Sequence, residues 1–232
     1  MSLLWDGIRQ AIELLFKLNP DVVEITLLSL RLSGIATLIS LVTGIPFGTL
    51  LALYRFPGRN FLLSLVNTGM GLPPVVVGLV VSIFLWRSGP FGDFQWIYTP
   101  LAIVIAQVIL AAPVVSGITA AALQQLDPRL RLQLRGLGAS RGQMIWMLWM
   151  EARLPLLAAI MAGFGSVISE VGASMMVGGN LRHSTRVLTT AIVYETGRGN
   201  FALAIALGVI LLGLTFFINM TLTWVQQRSA RG

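Results

Sequence analysis

The sequence predicts an all-α membrane protein with about five transmembrane helices, preceded by an N-terminal interfacial helix. Three observations carry that prediction. Of 232 residues, 56% are hydrophobic and 11% charged, with a mean hydropathy of +0.83. Five stretches free of charge are interspersed with polar segments, and the arginines fall unevenly between those segments. A soluble chain of this length has too little interior to hide so much apolar surface.

Taken in order, the first element is the interfacial helix over residues 4–17. Trp5, Ile8, Ile12 and Leu15 recur at helical spacing, while Asp6, Arg9, Glu13 and Lys17 occupy the rest of the wheel. A helix of that pattern lies in the membrane surface. The segment lacks the basic start and short apolar core of a cleavable signal. Charge-free stretches then run from Leu32 to Tyr54, Asn60 to Trp86, Phe94 to Leu126, Leu154 to Ser169 and Gly199 to Gln227. A bilayer core takes roughly 20 apolar residues of helix, and several of these stretches allow tilt. The fourth meets Glu170 but continues apolar through Val177, which predicts one span with an acid inside. Glycine and alanine recur throughout, as close helix packing in lipid requires.

Five crossings place the ends of residues 1–232, read as a single transmembrane domain, on opposite sides. One side then holds Arg55, Arg59, Arg129, Arg131, Arg135, Arg141, Arg153, Arg228 and Arg231 against only Asp127 and Glu151. On the other, Arg9, Lys17, Arg31, Arg87, Arg182, Arg186 and Arg198 are nearly balanced by Asp6, Glu13, Asp21, Glu24, Asp93 and Glu195. The positive-inside rule assigns the first side, with the C-terminus, to the cytoplasm. The net charge of +7 is thereby a topology signal, and nucleic acid is excluded as a partner. No repeat of fixed period supports an inverted-repeat transporter. The absence of cysteine excludes disulfides and thiolate metal sites. His183 has no second ligand nearby in sequence, so no metal site is expected.

Several constellations are candidates for function. Pro73-Pro74 removes backbone donors within the second stretch. This makes either a packing kink or a half-helix start whose N–H groups at Val75 to Val77 face a passing anion. Gly71 and Gly78 would admit a close neighbour. In the fourth stretch Ser166, Glu170 and Ser174 share one helical face, with Ser169 adjacent. A carboxylate repels an anion at close range, so Glu170 reads as a structural hydrogen-bonding group or gate and the serine hydroxyls as transient contacts. Arg182, Arg186 and Arg198 are interfacial arginines or a receiving surface for negative charge. Trp146 and Trp149 read as interfacial aromatics.

The longest polar segment, residues 124–153, joins the third and fourth spans. Gln124-Gln125-Leu126-Asp127-Pro128 ends a helix, and arginines then alternate with leucines as far as Gly138. Two short helices hinged at Gly138 would form an amphipathic knob outside the bilayer. The only lysine, Lys17, is preceded by Phe16, so there is no Gly-x-x-x-x-Gly-Lys-Ser/Thr loop to cradle nucleotide phosphates. Uphill transport would draw its energy from another protein or an ion gradient.

The Leu137-Gly138-Ala139-Ser140 core with Leu154-Pro155 resembles the cytoplasmic "EAA" loop of ABC-importer permeases, although Leu132-Gln133-Leu134 stands where the family has Glu-Ala-Ala. The runs Gly71-Leu72-Pro73-Pro74-Val75-Val76-Val77-Gly78 and Ser169 to Asn180 look like the tungstate branch of the oxyanion permeases, beside those for molybdate and sulfate. The resemblance implies the type I ABC-importer permease fold and a cytoplasmic coupling helix, with Leu137, Gly138, Ala139, Ser140 and Arg141 docking on an ATP-binding subunit. It implies Pro73, Pro74, Val75, Ser166, Ser169, Glu170 and Ser174 along the path. One five-helix unit is a thin wall for a pore, so a second copy of the chain is expected; the resemblance further implies two ATP-binding cassette subunits that hold ATP and Mg, and an extracytoplasmic substrate-binding protein. The chain itself would hold no cofactor and perform no covalent chemistry. Molybdate, sulfate or amino-acid permeases and a stand-alone secondary transporter are the alternatives.

The sidedness can be checked directly. Because the chain has no native cysteine, Ser140→Cys should react with a membrane-impermeant maleimide in inside-out vesicles only, and labelling of intact cells would reverse the assignment.

Overall fold

The structure is a computed structural model and describes residues 5–9, 12–13, 17 and 20–231, the last three without side chains. Its elements are α1 (Pro20–Leu53), α2 (Arg59–Met70), α3 (Pro74–Leu85), a 3-10 turn (Gly92–Phe94), α4 (Pro100–Gln124), α5 (Pro128–Gly136), α6 (Arg141–Glu151), α7 (Arg153–Ile168), α8 (Gly172–Gly178), α9 (Leu188–Gly197) and α10 (Phe201–Arg231). The described part of the expected interfacial helix is helical at 5–9 and 12–13, with Trp5, Ile8 and Ile12 exposed. Residues 4 and 14–16, Leu15 among them, lie outside the described residues.

Among the described residues three helices, α1, α4 and α10, are long and apolar enough to cross a membrane alone, and two bent pairs raise the number to as many as five. α1 is 34 residues long, about 50 Å. It begins at Pro20 rather than near Leu32, because proline is tolerated in a first turn and nothing between it and Leu32 stops a helix. α2 and α3 meet at a bend of 105°, and α6 and α7 at 75°. Large apolar side chains such as Leu38, Val42, Leu212 and Phe216 face outward, as lipid-facing surfaces do.

α4 is the axis of the bundle and packs against α1, α2, α3, α7 and α8. Its buried side includes Ala102, Ala106 and Ala111, which join Leu32, Ala36, Val77, Val81 and Val177 in the main core. Small residues set the spacing. A Cβ at Gly44 of α1 would lie 2.9 Å from Val115 Cγ1, and one at Gly48 would collide with the Ser116 carbonyl oxygen. Gly44 and Gly48 thus form a small-x-x-x-small contact, the pattern that lets membrane helices approach backbone to backbone.

Arginine side chains close the helix ends on one face. Arg59 Nε donates to the Leu51 carbonyl at 2.7 Å and an Arg131 Nη donates to the Leu123 carbonyl at 3.5 Å. Both carbonyls belong to last turns, where the helix dipole favours a cation.

Gly48→Leu should destabilise the purified protein by about 1–3 kcal/mol, the usual cost of overpacking. Gly34→Leu, at a position where an added Cβ meets nothing within 4 Å, should leave the thermal midpoint unchanged. Equal midpoints for the two variants would refute the close α1–α4 contact.

Candidate functional site

Two helix breaks pack against each other. The first is Gly71-Leu72-Pro73, between α2 and α3. Proline at the N-cap and at the first helical position, Pro73 and Pro74, contributes no N–H. Val76 and Val77 both donate to the Pro73 carbonyl, at 2.9 and 3.2 Å. Of the amides expected to be free from Val75 to Val77, two are therefore closed within the helix start. The proline pair makes a true break, and an anion would find only the Val75 N–H there.

The second break, Ser169-Glu170-Val171, was not expected. The single face of Ser166, Glu170 and Ser174 presupposed a continuous helix, whereas α7 ends at Ile168 and α8 begins at Gly172. Glu170 is 5% exposed, and its carboxylate accepts from the backbone N–H of Ala173 at 2.6 Å, the N–H of Ser174 at 2.9 Å and the Ser174 hydroxyl at 2.7 Å. Its backbone carbonyl accepts from the Thr189 hydroxyl of α9 at 2.8 Å. The acid thus satisfies the amides of the second and third residues of α8, as a capping side chain does, and the fully buried Ser174 is its partner.

The breaks touch through glycines. A Cβ on Gly172 would lie 2.8 Å from Val75 Cγ2, and one on Gly78 would lie 2.7 Å from Ala173 Cα. Gly71 has no such neighbour within the chain. Pro73, Pro74, Val75 and Ser169 are exposed beside the contact, whereas Ser166 is half-buried. The hydroxyls of Ser166 and Ser169 donate backward to the carbonyls of Gly163 and Gly165, at 2.8 and 2.7 Å. Sequence reasoning missed Gln107, whose Nε2 donates to the Val167 carbonyl at 3.3 Å just before the break. Its signal was a buried amide side chain in an otherwise apolar span.

The 124–153 segment forms the expected pair of helices. Asp127 caps α5 through the Arg129 N–H at 2.8 Å, with Pro128 at the first position. α5 then closes with Ala139 N–H donating to the Leu134 carbonyl at 3.0 Å and Gly138 at φ +79°. A left-handed residue after a helix suits glycine alone without cost. Ser140 opens α6 with a reciprocal capping box, accepting from Gln143 N–H while its own N–H donates to Gln143 Oε1 at 2.8 Å. Leu137 is 84% exposed at the tip. Leu134, Met144 and Leu148 pack under the knob against Leu123 of α4.

Trp149 corrects the reading of two interfacial aromatics. Trp146 does face outward, but Trp149 Nε1 donates to the buried Thr49 hydroxyl of α1 at 2.9 Å. The knob is thereby bound to two long helices.

On the opposite face, Arg182 pairs with Asp21 at 2.6 Å and His183 Nδ1 lies 2.7 Å from Glu24. Asp21, Glu24 and His183 bring ligand atoms within 4.8 Å of one another. His183 therefore has carboxylate neighbours that the sequence separation concealed, though Arg182 already engages one of them. Arg186 and Arg198 lie over the Tyr194 ring at 4.6 and 5.4 Å. A cavity of about 410 Å³ there is lined by these arginines together with Asp21, Glu24 and Glu195, and carries no net formal charge.

A helical membrane bundle with a rigid amphipathic knob on one face and paired breaks inside defines a membrane-transport subunit. The chain belongs to the family described as binding-protein-dependent transport system inner membrane component, whose model matches residues 44–231. It is 37% identical over 98% of its length to the whole of the tungstate uptake system permease protein TupB of Peptoclostridium acidaminophilum. It is 40% identical over 85% of its length to 87% of a probable anion ABC transporter permease protein of Haloferax volcanii. Among solved structures, an inward-facing MetNI methionine ABC transporter superposes with a TM-score of 0.73 at 21% identity, over 90% of this chain and 96% of that one. The fold is that of the type I ABC-importer permeases.

Glu170→Ala should lower stability by about 3 kcal/mol or more, since it deletes acceptors for buried donors. Glu170→Gln should cost roughly 1–2 kcal/mol, because its amide oxygen serves one N–H while its NH2 faces another donor. Unfolding of both variants in detergent at the wild-type midpoint would remove the capping role.

Proposed function

We propose that the chain is the permease subunit of an ATP-driven oxyanion importer, with tungstate as the preferred cargo. It works as a homodimer with the path on the two-fold axis. Two ATP-binding cassette subunits, holding ATP and Mg, dock at Leu137 to Arg141 on the cytoplasmic side, and a soluble substrate-binding protein delivers cargo from the other. The carrying observation is the knob itself: an 84% exposed Leu137 on a doubly capped helical pair whose base is fastened to α1 and α4. An apolar tip held that rigidly suits a docking groove on a motor subunit. The identity to TupB over nearly the whole chain supports the cargo.

In this reading nucleotide-driven closure draws the two knobs together. Trp149 and the cluster below Leu134 pass the displacement to α1 and α4, and α7 follows through the α6–α7 bend. Pro73, Pro74, Val75 and Ser169 border the path, with Ser166 behind them. Glu170 and Ser174 hold α8 in place rather than contact cargo. A secondary transporter would need a titrating carboxylate on the path, and the Glu170 carboxylate is instead turned into the α8 amides.

Uptake by vesicles containing the chain, its ATPase and its binding protein should favour tungstate over molybdate and sulfate; equal rates would end the tungstate assignment. Gly138→Glu should abolish ATP-coupled uptake with normal membrane insertion, because the left-handed turn disfavours any side chain and the tip gains a charge. Wild-type uptake by that variant would remove Gly138 from the docking site.

A further inference from the structure

The arginine-rich face contains a hollow that the transport reading does not use. It lies where the ends of α1 and α4 meet the starts of α2 and α5, and measures about 330 Å³. Arg55, Arg59 and Arg131 line it together with Ala52, Leu53 and Leu126, and no carboxylate does. None of the three arginines makes an ion pair among the described residues. Arg55 and Arg59 also border a neighbouring depression of about 430 Å³.

Capping of helix ends explains part of this arrangement. Arg59 and Arg131 each spend one donor on a last-turn carbonyl, of Leu51 and Leu123 respectively. Those bonds also tie the two guanidinium groups to the ends of α1 and α4, with most of their donors unused among the described residues. Capping does not account for Arg55, nor for three cations gathered around one hollow without a counter-charge. Burial first, and the nearby charge of Arg135 second, push the Arg131 pKa below the ordinary arginine value, and no lining acid offsets the positive charge of the hollow. A group with several anionic oxygens would relieve it, since guanidinium forks match phosphate geometry.

The surroundings indicate where such a group comes from. Ala52, Leu53 and Leu126 give the hollow an apolar wall. Tyr54, between the lining residues Leu53 and Arg55, is 42% exposed, and Phe61, which borders the neighbouring depression, is 71% exposed; exposed aromatic residues of this kind mark the headgroup level of a bilayer. Basic pockets between helices at that level select anionic lipid headgroups.

We propose that Arg55, Arg59 and Arg131 form a site for a phosphate-type oxyanion, supplied by the headgroup of an anionic membrane lipid whose acyl chain runs along Leu53 and Leu126. A lipid there bridges α1, α4 and α5, and so ties the base of the knob to the spans. The site is independent of the cargo, and its test involves no transport.

The full chain is placed in nanodiscs of phosphatidylcholine, or of equal parts phosphatidylcholine and phosphatidylglycerol. Lipid retained after delipidation is measured by native mass spectrometry, and the unfolding midpoint is measured in parallel. Wild type should retain phosphatidylglycerol and unfold at higher temperature with it. Arg55→Gln, which removes no side-chain hydrogen bond among the described residues, and Arg131→Gln should each weaken retention about fivefold, with Arg55→Lys restoring most of it. Equal retention by wild type and Arg55→Gln would overturn the site. Inorganic phosphate is titrated into the phosphatidylcholine discs as a separate arm. Stabilisation by phosphate that Arg55→Gln abolishes, with no effect of phosphatidylglycerol, would overturn the lipid source and assign the arginines to a free anion.

Discussion

A helix that breaks within an apolar bundle leaves backbone N–H groups away from water with no partner in the helix, and the architecture of this chain follows from how it meets that constraint twice. At the first break the donors are largely removed: Pro73 and Pro74 have none, and Val76 and Val77 turn back to the Pro73 carbonyl. At the second, a buried carboxylate is supplied, and Glu170 receives the Ala173 and Ser174 amides in the first turn of α8. The two solutions can face each other because each is sterically thin. Gly172 lies against Val75 and Gly78 against Ala173, so neither helix start needs solvent or a bulky cap. A break stabilised in this way can belong to a moving part, because it does not depend on water that a change of conformation would displace.

The same economy of flexible parts appears in the knob. Asp127, Gly138 and Ser140 each fix a helix terminus locally, and the buried side of the pair is held by Leu134, Met144 and Leu148. Local capping makes the knob stiff, and the Trp149–Thr49 bond and the Leu123 contact make it continuous with two long helices. Stiffness with continuity is what transmits a displacement, since packed elements move as units rather than deform. The small-residue contact of Gly44 and Gly48 with α4 extends that unit through the bundle.

Much of this was legible in the sequence, for identifiable reasons. The spans stood out because charge is absent over their length, and the paired helices of the knob because a polar segment too charged to span is divided at Gly138. Pro73-Pro74 announced its break because proline acts on the backbone wherever it sits. The break after Ile168 gave no such sign. Its cause is a carboxylate reaching amides three and four residues on, which resembles an ordinary acid inside a helix until the fold is seen. Trp149 was misplaced although its position on the wheel adjoins buried Leu148, while Trp146 falls on the far side. The pairings of Asp21 with Arg182 and Glu24 with His183 join residues some 160 positions apart, and no local pattern encodes them.

On the proposed reading, in which the path runs beside them, the two breaks also bear on selectivity. A carboxylate about 4 Å from a divalent anion would oppose it by about 8 kcal/mol at an effective dielectric near 20, enough to close a pathway. Glu170 avoids that by burial: both oxygens point into α8, and only 5% of the residue is exposed. The arginines on the opposite face are balanced by Asp21, Glu24 and Glu195, so they form no deep trap for an anion either. What borders the contact between the breaks is neutral: two prolines, a valine and a serine whose hydroxyl already donates to its own helix. A neutral, weakly bonding lining passes an ion without retaining it. On the proposed reading, this chain then contributes passage and gating, and discrimination among tetrahedral oxyanions falls to the protein that delivers them.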